Sequence, residues 1–575
     1  MTQPLLERSF PSTLDALVKE FSEKPGSRLE AWVFADVASR RAAEAELKAK
    51  GVEARIRSAF KPLVHAFLED IPTDEIAIAR VAYPQHPGCL PGRFLVEAYP
   101  LAGLLPEAEV RFSAGTETPF TYELTLTDTH GHTDEIRVFA PNHEHTDAVG
   151  EPQVSPTGWL RATLPDGTSR DERLETDVER LYAAAVAAAA EWEAPEDGFN
   201  QLRVAATLPW PDQPLGVGDE AIRYGEILHE DLYFSLLEVF QTQSGLSLGD
   251  RTLQPGQIAP AIAIIPGAPK VRVSVRALSN AEAEGPAQDL AAPQEPLPPA
   301  QVAAELAKVG GSAFGAATVS GREVWGRYIS GTDAAVMISG GQHANEPSGI
   351  VGALRAAQAL AQQDGAHFTV HPLENPDGYA LYRELIALSP GQMLHGARYT
   401  ALGDDLEYRA TQPRYESEIR DRARALAAPN FHINLHGYPA HEWSRPFTGY
   451  VPRGFAMWML PRGLFFILRH HSAWSGAAER LIDKVTRRVG AALPEVLELT
   501  ARQRKLAHPH ASEPGTRVVN GFCCQISVDD AMPTPLKLTT EYPDESLRGP
   551  AFALACKAQE ETTLAAYEAY QKIVG

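Results

Sequence analysis

Cysteine is scarce in this chain. Its 575 residues include four, Cys89, Cys523, Cys524 and Cys556. None has Cys-x-x-Cys spacing, and the neighbours Cys523 and Cys524 cannot readily bridge each other. A disulfide-stapled scaffold and a thiolate zinc cluster are therefore excluded, and free buried thiols in a reducing compartment are expected. Positive charge is scarce too. Fifty-two basic residues face 74 acidic ones, a net charge of −22. That argues against nucleic acid or an anionic membrane as the main partner. The segment Met1 to Arg8 has no apolar core of the kind a secretory signal needs, so a cytoplasmic location is expected. Long apolar runs are missing as well. The longest, near Phe455 to Leu468, is broken by Pro461, Arg462 and Gly463, so no membrane span is expected. No internal repeat is found.

What is present suits a folded protein with several cores: 44% of the residues are apolar, and the length exceeds one ordinary domain. The clearest boundary is 281–300, with five prolines, four acids and no Lys or Arg. It reads as an extended, solvated linker. Residues 1–280 before it read as one or two α+β domains. Helices are expected over Ser39 to Lys50, Arg180 to Glu193 and Tyr224 to Gln241. Strands are expected at Ala31 to Phe34, Phe120 to Leu126, Ile258 to Ile265 and Val271 to Val275. In 301–575 strands and helices alternate. Strands are expected at Val324 to Ile329 and Ala334 to Ile338, and helices at Pro299 to Val309, Ser348 to Gln363 and Ala477 to Leu493. This pattern predicts an α/β fold with a mixed sheet covered on both faces. Ligands in such sheets gather at the C-terminal ends of strands.

The residues with chemistry lie in this second half. The strand Ala334 to Ile338 runs through Ser339-Gly340-Gly341-Gln342 into His343-Ala344-Asn345-Glu346. A His and a Glu three residues apart on such a turn can aim an imidazole nitrogen and a carboxylate at one point, as a catalytic zinc requires. A second short strand, Phe431 to Leu435, ends in His436-Gly437. Two His and one Glu leave a fourth position open for water. His432 is four residues before His436 on the same strand face and reads as a packed neighbour; His441 is an outside candidate. Between these lies Glu374-Asn375-Pro376-Asp377-Gly378-Tyr379, strong turn chemistry. His130, His132, His143 and His145 form two His-x-His pairs, which read as polar loop residues more readily than as a second metal site.

In this order the chain resembles the zinc metallocarboxypeptidases, from about residue 301 onward. In that family a His-x-x-Glu turn precedes Asn-Pro-Asp-Gly, an Arg and a Gly-Val-Asp-Leu-Asn-Arg-Asn segment. A strand ending in the third ligand His follows, then a strand ending in the catalytic Glu. Here the matching pieces are His343 and Glu346, Asn375 to Tyr379, Arg398, Gly403 to Arg409, His436, and Leu538 to Pro543 with Glu541. The resemblance implies a carboxypeptidase-like α/β/α domain, one Zn2+ on His343, Glu346 and His436, Glu541 as general base and Arg398 as oxyanion partner. Arg383 and Arg409 are rivals to Arg398. It also implies a peptide or small amide substrate. One departure is plain. Glu407 and Tyr408 stand where the family's Asn and Arg grip the substrate's terminal carboxylate. Arg409, one residue on, is the candidate substitute. The family's substrate-facing Tyr has no equivalent between Arg517 and Glu541. A carboxylate at Glu407 is expected to repel a free C-terminus and to favour cationic or neutral ends. Two other readings stay open: an aspartoacylase-like deacylase of small N-acyl amino acids, and a catalytically inactive binding protein.

Overall fold

Nine strands of the second half form one mixed sheet. Their spatial order is Ser312–Ala317, Glu323–Ile329, Phe368–His371, Val336–Gly340, Phe431–Tyr438, Leu536–Pro543, Phe465–His470, Phe522–Val528 and Arg517–Val519. The molecule is described here by a computed structural model covering residues 3–115, 118–193, 198–281, 284–511 and 515–575. The four central strands, from Phe368–His371 to Leu536–Pro543, run parallel; the strands flanking them are antiparallel.

Strand alternation divides the side chains of this sheet between two faces. Phe431, Ile433 and Leu435, with Leu536 and Leu538 and with Phe466 and Leu468, belong to one buried apolar core. The helices Ser348–Leu360, Ser475–Ala492 and Gly549–Val574 pack on one another over that face. The intervening residues His432, Asn434 and His436, Lys537, Thr539 and Glu541, and Ile467 and Arg469 point the other way. The helix Glu418–Ala427 lies on that second face, where its Arg420 reaches Glu374 and Glu407.

Most expected elements appear within a few residues of their sequence bounds, including Asp177–Ala190, Tyr224–Gln243 and Ser348–Leu360. Asn375 to Gly378 differs in kind. It begins the helix Pro376–Leu388: Asn375 caps it by accepting from the Gly378 N–H, and Pro376 takes the first position, where no donor is missed. Pro494 likewise starts the helix Pro494–Ala507 where only an end was expected.

The first half carries three four-stranded sheets. One orders Gln3–Ser9, Lys270–Arg276, Gln201–Leu208 and Gln257–Ile264; a second contains Arg28–Val33 and Glu53–Ser58; a third contains Ile76–Tyr83 and Thr121–Asp128 with a small core of its own. The main apolar core of this half does not stop at the 281–300 segment. It continues into Met393, Tyr399, Trp443, Phe447 and Tyr450. The segment itself is pinned, with Leu297 buried, the Pro296 carbonyl accepting from Arg383 and the Leu297 carbonyl accepting from the Tyr379 hydroxyl. The four cysteines are unbridged, and no described helix is long and apolar enough to cross a membrane.

Helix Tyr224–Gln243 joins the halves, and it is buried from Tyr224 to Gln241. Burying charges costs free energy unless they are paired. Each acid here has a partner across the junction: Glu226 with His441, Glu230 with His395, Asp231 with the Phe447 N–H and Thr448, and Glu238 with Arg445 and Arg453. Arg445 is 1% exposed and lies between Glu238, at 2.8 Å, and Asp231, at 3.8 Å. Arg445→Met keeps the stem and strands these carboxylates. It is expected to cost about 3–5 kcal/mol in denaturant unfolding, and a loss under 1 kcal/mol would mean that Arg453 alone satisfies Glu238.

Candidate metal and catalytic centre

Parallel pairing sets the centre. His436 and Glu541 are register partners on adjacent strands, so their side chains leave the same face at the same level. The turn after the neighbouring strand Val336–Gly340 brings in His343 and Glu346. His343 Nδ1 lies 2.7 Å from Glu346 Oε1, His436 Nδ1 lies 3.0 Å from Glu346 Oε2, and the two Nδ1 atoms are 3.1 Å apart. All three residues are buried, and among the described residues this is the one His/Cys/Asp/Glu group close enough to share a metal ion. Two imidazole nitrogens and a carboxylate converging on one point fit a divalent cation with nitrogen and oxygen preferences, zinc above all, with a side open to the cleft.

The far nitrogens of both rings are held. His343 Nε2 lies 3.4 Å from Asp405 Oδ2, a carboxylate that also accepts from Gln342. His436 Nε2 lies 2.7 Å from the Asn434 amide, which Ser339 joins to His432. Both partners fix ring orientation, and a carboxylate such as Asp405, accepting the far N–H, also raises the basicity of the near nitrogen. Gly437 serves the same end. Its N–H donates to Glu346 Oε2 at 3.0 Å, and a Cβ there would stand 1.9 Å from Asp544. The residue after His436 must therefore be glycine.

Arg398 donates from Nη1 to Glu346 Oε1 at 2.8 Å, and its Nε–H has no partner among the described residues. Its backbone follows His395, whose ring takes a 2.6 Å hydrogen bond with Glu230 and stacks on Trp443 at 4.3 Å. The rivals are occupied elsewhere: Arg383 with the Pro296 carbonyl, Arg409 with Asp404 and Glu416. Burial works to raise the Glu346 carboxyl, but His343, Arg398 and His436 outweigh it and hold it well below the usual carboxylate range. Glu541 goes the other way. Burial, with Glu346 beside it, pushes its carboxyl well above that range.

The cleft is lined by His343, Arg398, His436, Glu541, Glu407 and Tyr408, together with Arg251, Trp443, Arg469 and Lys537. Two expectations for its specificity need correction. Arg409 does not reach it, because its guanidinium is fully buried against Asp404 and Glu416. Glu407 is not a bare anion. Lys537 and Arg420 both pair with it, and against the cost of burial they hold its carboxyl well below the usual range. Tyr408 is 46% exposed at the mouth, under Arg251. His441 belongs to Glu226, away from the triad. His130 and His132 are exposed, and His143 stacks on His145.

Sequence reading gave no role to Asp405, Lys537, Arg469, Arg251 or His395. Two of these had a signal: Lys537 precedes Glu541 by four residues, which on a strand means the same face, and Asp405 lies inside the quoted segment. Arg251 and His395 come from loops that only tertiary folding brings to the cleft.

No family model matches the chain, and no curated protein matches it. Solved structures similar to it include a metallo-carboxypeptidase from Burkholderia cenocepacia, at 16% identity over 54% of this chain and 76% of that one, with a TM-score of 0.28. Carboxypeptidase A from Helicoverpa armigera is 10% identical over 54% of this chain and 90% of its own, with a TM-score of 0.31. A metallo-carboxypeptidase from Pseudomonas aeruginosa in complex with (2-guanidinoethylmercapto)succinic acid is 11% identical over 55% and 77%, with a TM-score of 0.30.

The paired acids of the cleft floor predict an acid limb of stability. Arg420 holds Glu374 and Glu407, and although burial opposes it, both carboxyls stay depressed. A depressed folded pKa contributes stability that is present above the unfolded value, near 4.3, and is lost as pH falls toward the folded one. The unfolding free energy should therefore fall below about pH 4, and less steeply in Arg420→Met. Parallel acid limbs in the two proteins would assign the loss to other acids.

Proposed function

We propose that this chain is a zinc-dependent hydrolase of peptide or related amide bonds. The observation that carries the reading is the buried His343, Glu346 and His436 triad, with Glu541 in register beside it and Arg398 against it. These three ligands would hold the metal, and Asp405 and Asn434 would orient the two rings. When zinc is bound, the chemistry supplied is Lewis-acid polarisation of the scissile carbonyl and a water of lowered pKa.

The remaining work falls to the protein. Glu541 is the base that takes a proton from the attacking water and returns it to the leaving nitrogen. Burial and the neighbouring Glu346 raise its affinity for protons, which favours holding the proton between the two halves of that transfer. Arg398 turns an N–H to the oxygen on which negative charge develops, while Nη1 stays on Glu346. Trp443, Phe455 and Trp458 give the cleft an apolar wall.

Metal analysis of the purified protein should find about one zinc per chain, the number one such triad holds. His343→Ala and His436→Ala should each lose most of it, and Asp405→Ala should weaken zinc binding by roughly 10–100-fold. Full zinc retention in both histidine variants would remove the centre from consideration. Glu541→Gln is nearly isosteric. It should keep zinc and the unfolding temperature, yet lose ~10²–10⁴-fold in peptide hydrolysis. Turnover within a few-fold of the parent would give the proton to another group.

A further inference from the structure

One cation of the cleft floor has no carboxylate in contact with it. Four cationic side chains line it, Arg251, Arg398, Arg469 and Lys537. Three have carboxylates: Arg398 has Glu346, Arg251 has Asp405 at 3.7 Å, and Lys537 has Glu407, which it shares with Arg420. The Arg469 side chain makes no ion pair and no hydrogen bond among the described residues, although its backbone is paired on both sides in the sheet. It stands opposite Lys537 as the register partner on the adjacent antiparallel strand. Like charges directly opposite each other in a sheet are destabilising, so folding alone gives no reason for the pair. Glu374 and Glu407 pair directly with Arg420 and Lys537, whereas the Glu541 carboxyl feels Arg469 only beyond ion-pair distance.

The position has a direction relative to the chemistry. Glu541, Thr539 and Lys537 descend one strand on the cleft face, and Ile467 and Arg469 descend its neighbour opposite Thr539 and Lys537. The Cα atoms of Glu541 and Lys537 are four residues apart, about 13 Å along the strand. One amino-acid residue and an extended arginine side chain fill that span together. Arginine offers a planar fork that matches a carboxylate at two points.

We infer that Arg469 binds a carboxylate of the substrate, on the residue released by cleavage. It takes the part that the substitution of Glu407 and Tyr408 leaves open, and it reverses the preference for cationic or neutral ends expected from Glu407 alone. The carboxylate is either the terminal α-carboxylate or an acidic side chain. The inference rests on the hydrolase reading only for which fragment is released, and it is testable without turnover.

The probe is N-acetyl-L-glutamate, with its two monoamides, titrated calorimetrically into the zinc-loaded protein. N-acetyl-L-glutamate should bind, and Arg469→Met should raise its Kd by roughly 10–100-fold, the effect of losing a charged hydrogen-bond partner. Arg469→Lys should recover part of the loss. The monoamide whose Kd no longer responds to Arg469→Met identifies the carboxylate that is held. No binding by the parent protein, or a Kd within twofold in a folded Arg469→Met, overturns the inference. A protein that binds the probe through Arg469 but cleaves no peptide overturns the hydrolase reading alone. One that cleaves peptides with the same KM in Arg469→Met overturns this inference alone.

Discussion

One pairing register holds the centre together. Strands Phe431–Tyr438 and Leu536–Pro543 run parallel with His436 opposite Glu541. A slip of one residue would turn every side chain on one strand to the other face, moving Glu541 into the helix-covered core and Thr540 into the cleft. The register is enforced from the apolar side, where Ile433, Leu435 and Leu538 are buried beneath the helix Gly549–Val574 and Thr540 bonds Gln559. Packing that has no chemical role of its own thus holds His436 level with Glu541 on the cleft face.

The first half of the chain acts on the same centre from outside the sheet. Helix Tyr224–Gln243 offers Glu226 to the Met393 N–H, His229 to the Gly396 N–H and Glu230 to His395. These contacts fix the turn that ends at Arg398. Each buried acid is expensive unless its partner is in place, so the loop geometry and the burial of the helix support one another. Arg251, from the loop after this helix, reaches Asp405 and the rings of Tyr408 and Phe455. The residues before the Pro-rich segment belong to the architecture of the cleft, and a boundary at 281–300 separates chain segments more cleanly than it separates cores.

Legibility in the sequence followed the range of the interaction. The convergence of His343, Glu346, His436 and Glu541 was readable because each sits at or just beyond the end of a short apolar strand and the pieces occur in a fixed order. Arg398 was readable only by order, since nothing local distinguishes it from Arg383 or Arg409. The specificity residues were misread for a physical reason. Glu407 was judged as a lone carboxylate, and its charge is set by Lys537 and Arg420, 130 and 13 residues away in the chain. Arg409 was judged by adjacency, but Leu406–Tyr408 is a short 3-10 turn, and Arg409 beyond it turns inward to Asp404 and Glu416. Local pattern reports which face a residue takes; it does not report which charge meets it there.

The same point governs substrate choice. The chain as a whole carries −22, a field that disfavours the approach of anions and is screened within about 10 Å at ordinary ionic strength. Inside the cleft that total means little. There the balance is set by a few side chains in a half-enclosed, less polarisable space, where one unpaired arginine outweighs many distant surface acids. An acidic protein can hold an anionic substrate if its acids are spent on internal partners, as Glu374 and Glu407 are spent on Arg420 and Lys537. Arg469, the cleft cation with no carboxylate in contact, is then the one best placed to meet an incoming anionic group.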